Sequence, residues 1–147
     1  MKRFAFVLVF AFAVSVTAAP FHSSSTPTLS GPQESHEKHG FGVRQYDAFH
    51  DVLHPLQHDA LPGKDFRRIR TKAALLVNRG NAIVRLGVPR GVTAANKEEF
   101  GKELSKFREA NAKFRTVARK GTDAELEASF SALHDSFEMV AAMLPRG

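Results

Sequence analysis

From residue 43 onward, apolar side chains return every three or four residues, and three short stretches of turn chemistry interrupt them. That is the period of a helix with one buried face, and no segment alternates as a strand does. The interruptions are Leu61-Pro62-Gly63, Gly87-Val88-Pro89-Arg90-Gly91 and Gly121. They divide residues 43–147 into four amphipathic helices with short connections. The fold class expected is all-α, an antiparallel up-down-up-down four-helix bundle.

The first helix covers roughly 43–60, with Tyr46, Phe49, Leu53, Leu56 and Ala60 on one face. The second starts after Asp65, a good N-cap residue, and buries Phe66, Ile69, Ala73, Leu76, Gly80 and Ile83. Asn96-Lys97-Glu98-Glu99 has capping-box spacing and opens the third, in which Phe100, Leu104, Phe107, Phe114 and Ala118 share a face. Thr122-Asp123-Ala124-Glu125 is a second capping box. The helix it opens turns Leu126, Phe130, Leu133, Phe137, Val140 and Leu144 inward. Ile69, Ala73, Leu76, Gly80 and Ile83 align with Leu126, Phe130, Leu133, Phe137 and Val140. A duplicated hairpin and the ordinary likeness of two amphipathic hairpins both account for this alignment.

Ahead of the helices, Lys2 and Arg3, the apolar run Phe4 to Val16 and the small-residue pattern Val16-Thr17-Ala18 have the layout of a secretory signal peptide. Residues 1–18 are therefore expected to be removed on export, which places the protein in a periplasm or outside the cell. The apolar run is short of the roughly 20 residues a bilayer span requires, and no other stretch is apolar enough. Residues 19–42, rich in Ser, Thr, Pro, Gly and His, read as a flexible tether. The chain has no cysteine. That excludes disulfides, thiolate ligands and a c-type haem, so an exported protein of this size has to be held by packing alone. The formal charge of +6 falls to +4 without Lys2 and Arg3, a modest excess that favours solubility and attraction to anionic surfaces.

The most distinctive chemistry is YDAFHDVLHPLQHDA, residues 46–60, in which His50, His54 and His58 recur every fourth residue around Pro55. Histidines at i and i+4 stand one turn apart and can close on a single ion. All three cannot, because His50 and His58 are about 12 Å apart along a helix axis. By helical angle His50 lies about 90° from the centre of the apolar stripe, His54 about 130° and His58 about 170°. His50 with His54 is the better pair, and His58 faces water. Pro55 interrupts the helix between them, either as a kink or as a fresh helical start. His134, near the inner face of the fourth helix with Asp135, Glu138 and Met139 around it, is the candidate third ligand. Imidazole, carboxylate and one thioether suit Zn, Cu, Ni or Co without choosing among them.

Phe49-His50-Asp51-Val52-Leu53-His54, then Ala60-Leu61-Pro62, with Leu133-His134 and Phe137-Glu138-Met139, resembles the periplasmic nickel/cobalt sensor family and its heavy-metal-resistance relatives. That resemblance implies an exported helical protein whose metal is held by His50, His54, His134 and Met139. His134 and Met139 stand five residues apart where the family has four, which turns Met139 toward the outer face.

Other chemistry finds no support in the residues. Glu-x-x-His pairs for a di-iron site, facing axial ligands for haem b, phosphate loops, nucleophile elbows and H-E-x-x-H are all missing, and the protein is not expected to be an enzyme. Asn111 interrupts the apolar row of the third helix, as a register-setting amide or a partner of His134. Lys64, Arg67, Arg68, Arg70 and Lys72 give the second helix a basic opening, a solvated face or a contact for a protein partner or anionic surface. Nucleic acid is not an expected partner. Two functions follow: a non-catalytic transition-metal-binding accessory or sensor protein, or a metal-free structural or protein-interaction bundle.

Overall fold

The computed structural model describes residues 40–145. The expected signal peptide, and the tether as far as residue 39, lie outside the described residues. Helix α1 (Arg44–Pro55) runs into a π turn (Leu56–Ala60). After it come α2 (Phe66–Leu86), a 3₁₀ turn (Ala94–Asn96), α3 (Lys97–Lys120) and α4 (Asp123–Ala142). The described residues are all-helical and include no strand. Each helix packs on the next, α1 on α2, α2 on α3 and α3 on α4.

The stripes read from the sequence are the buried faces. Ile69, Leu76 and Ile83 on α2, Phe100, Phe107 and Phe114 on α3, and Leu126, Phe130, Leu133 and Phe137 on α4 are fully buried. Phe137 joins α4 to the first helix: its ring centre lies 4.7 Å from Phe49 and 6.0 Å from Tyr46. Aromatic pairs at such spacings add to simple area burial. Among the described residues no helix is long and apolar enough to cross a membrane.

Two of the three expected caps form. The Asp65 carboxylate accepts from the Arg68 amide, and Thr122 and Glu125 exchange both bonds of a capping box. The box at Asn96 does not form. Asn96 already has helical dihedrals (φ −94°, ψ −7°), so its side chain is not at the helix mouth. The coil starts earlier, from extended Thr93 through the 3₁₀ turn, with the Asn96 amide donating to the Thr93 carbonyl at 3.0 Å. Glu99 faces Lys102 instead, at 3.6 Å.

Pro55 neither breaks nor restarts the first helix. Its ring removes one backbone bond and crowds the preceding turn. Beyond it the helix widens: the Leu61 amide donates to the Leu56 carbonyl at 2.9 Å and the Asp65 amide to the Ala60 carbonyl at 2.8 Å, both five residues apart.

Arg70, from the basic run, is not simply a solvated cation. Its guanidinium donates to the carbonyls of Ala118 (3.0 Å) and Gly121 (2.9 Å) and to the Asp123 carboxylate (2.8 Å). It ties α2 to the end of α3 and the start of α4, and satisfies carbonyls that a helix C-terminus leaves open. Asn111 takes the register role: its amide donates to the Val77 carbonyl (3.3 Å) and to Asn81 Oδ1 (3.0 Å), which pins α3 to α2. Neither bond goes to His134.

Candidate functional site

His50, His54 and His58 form a row along the first helix and its π turn. His50 and His54 have ring centres 5.1 Å apart, and His54 and His58 4.3 Å. His50 is half-buried, whereas His54 and His58 are exposed. The angular reading correctly turned His58 to water. Its spacing of four residues from His54 keeps the two rings one turn apart, and too far from His50 for all three to share an ion.

His50 has the most structured surroundings of the three. Phe41 meets it edge-on at 5.4 Å, and Phe137 lies roughly parallel to it at 6.2 Å. Phe41 also packs edge-on against Phe137 at 5.4 Å, and its amide donates to Asp47 Oδ1 at 2.6 Å. Phe41, expected within the tether, thus lies against the helices. A lone Phe between glycines in a polar stretch was the signal for this, and composition masked it.

The His50 proton affinity is lowered, first by burial and then by the His54 ring. His134 pushes the same way, and the Glu138 and Asp51 carboxylates oppose. Residues of α4 therefore act electrostatically on the ring of α1. His134 is itself half-buried; its Nδ1 is 3.3 Å from Asp135 Oδ1 and its Nε2 3.9 Å from Glu138 Oε1. The Asp135 carboxylate is within hydrogen-bond reach of the ring, and Glu138 adds negative charge on its other side. Met139 is 56% exposed, on the outer face as its spacing requires.

Two imidazoles sharing one tetrahedral ion stand with ring centres about 5.3 Å apart, given metal–nitrogen bonds of roughly 2.0–2.1 Å and a ring radius of about 1.2 Å. The 5.1 Å between His50 and His54 fits that arrangement, and the 4.3 Å between His54 and His58 is a tighter ring-on-ring contact. Among the described residues, no three His, Asp or Glu side chains already converge on one point. A pair of imidazoles is at hand, and a third ligand has to move to join it. No family model, curated protein or solved structure matches the chain, so this geometry is what the functional reading rests on.

Proposed function

We propose that this is an exported, non-catalytic transition-metal-binding protein of the accessory or sensor kind. The observation that carries the reading is the His50–His54 pair, spaced at 5.1 Å with His50 already disposed to be neutral. A metal ligand has to be deprotonated, and a ring partly removed from water and flanked by another imidazole competes less for protons. The third ligand is His134, whose Nδ1 lies 3.3 Å from Asp135 and which acts on His50 from α4. Zn, Cu, Ni and Co all suit two or three imidazoles. The reading includes removal of residues 1–18, a tether ahead of the helices and an antiparallel up-down-up-down bundle, for which short connections and consecutive packing are the support.

Equilibrium dialysis of the protein lacking residues 1–18 against Zn, Cu, Ni and Co, with metal counted per chain, tests the reading. One ion per chain at micromolar affinity or tighter is expected, lost on His50→Ala or His54→Ala. No binding tighter than about millimolar with any of the four leaves the metal-free interaction bundle as the function.

A further inference from the structure

We propose that the groove between α2 and α3 binds a small amphipathic anion, a carboxylate or phosphate carried on a short apolar tail. The groove has a volume of about 410 Å³, inside the roughly 300–1,000 Å³ span of small-molecule sites. Its floor is made by Ala73, Ala74 and Val77 of α2 and Ala118 of α3. These short side chains leave a trough lined by carbon, which favours an alkyl group over a bare ion.

The charge on its rim selects the other end of the ligand. Arg115 and Arg119 stand one turn apart on α3 over the groove, and Arg119 also borders a smaller recess shared with Lys120. Among the described residues neither arginine takes part in an ion pair. Most of the other surface cations are likewise without an ion pair there, so what sets these two apart is their place on the rim of the trough. Helix α2 contributes no acidic residue to offset them. The open carbonyls at the end of α3 would repel an anion, but Arg70 covers those of Ala118 and Gly121 and engages Asp123. Two neighbouring guanidinium groups above an alkyl trough match an oxyanion with a tail, since the planar fork meets carboxylate or phosphate two bonds at a time. The inference is independent of the metal reading.

Calorimetric titration of the full chain with octanoate, octyl phosphate, octanol and inorganic phosphate tests it. Octanoate and octyl phosphate should bind one per chain, at least tenfold tighter than octanol or phosphate, and the preference between the two tells which oxyanion the rim suits. Arg115→Gln with Arg119→Gln should lose at least tenfold. Ala74→Leu, at an exposed position where the longer side chain fills the trough, should lose as much while leaving the unfolding midpoint in place. Absence of saturable binding overturns the proposal. So does octanoate binding indifferent to both variants, or attachment only to phosphatidylglycerol vesicles with Ala74→Leu unchanged, which would reflect diffuse surface charge.

Discussion

Gly80 faces Asn111 so closely that a Cβ at position 80 would stand 2.6 Å from Asn111 Oδ1 and 2.8 Å from its Cγ. The contact joins the thinnest point of α2 to the buried amide of α3. It explains why a glycine occupies the middle of a long helix, where alanine is normally better by about 1 kcal/mol. Gly80→Ala should therefore destabilise the protein by a net 1–2 kcal/mol or so, because displacing the amide costs more than helix propensity returns. Asn111→Ala in the same chain should recover part of that loss. Urea titration of the two single variants and the double variant measures the coupling; strict additivity would mean the two side chains do not contend for the space.

Phe107 and Phe130 are fully buried on successive helices, and Phe107 meets Phe49 edge-on at 5.3 Å. Phe107→Ala and Phe130→Ala should each cost about 3–5 kcal/mol in denaturant titration. A near-neutral result at either position would mean that helix face is not the one packed inside.

Arg70→Lys should lower stability by roughly 1.5–3 kcal/mol, the range for hydrogen bonds made by a charged group, because an ammonium cannot reach two carbonyls and a carboxylate together. Amide hydrogen exchange should quicken at the α3–α4 junction and remain slow in α1. Uniform quickening would show instead that Arg70 supports the whole fold.

The lowered proton affinity of His50 fixes the sign of a pH effect. Above the ordinary histidine pKa of about 6.5 the ring is neutral in both folded and unfolded chains and contributes nothing. Below it the unfolded chain takes up a proton more readily, so stability falls as the solution is acidified. In the presence of EDTA, the unfolding midpoint should drop from pH 7 to pH 5, and less steeply in His50→Gln. Identical slopes in the two proteins would place the acid sensitivity elsewhere.

Metal affinity should fall over the same range, since protons compete for the rings. His50→Ala and His54→Ala should abolish most of the binding and His134→Ala should weaken it. His58→Ala should retain it, because that ring lies off the tetrahedral spacing. Equal losses from His50→Ala, His54→Ala and His58→Ala would describe a loose histidine strip with no defined site.

The parts of the fold governed by neighbours in sequence were legible before any coordinates. The stripes of α2 and α4, the Asp65 cap and the Thr122–Glu125 box all rest on residues three or four apart. Features set by distant partners were not legible. Arg70 looks like any surface cation until the end of α3 comes to meet it, and Phe41 looks like tether until Phe137 does. Glu103 sits on the buried side of α3, where Lys106 donates to its carboxylate at 2.6 Å, a partnership invisible to a pattern of apolar positions. In the candidate site the row of histidines and the half-buried setting of His50 were readable from their spacing. The π turn after Pro55 was not, because five-residue backbone bonds leave no mark on a pattern of apolar positions.

The π turn after Pro55 holds more residues per turn than an α-helix. Measured against a regular helix, that stretch of chain carries a surplus residue, the mark a single insertion leaves. Removing Gln57 would take the surplus away and let an ordinary α turn close there, with the residues after the turn kept in register. The histidine row therefore has two halves of different standing. The upper pair stands on regular α-helix, and the lower partner stands on the widened turn.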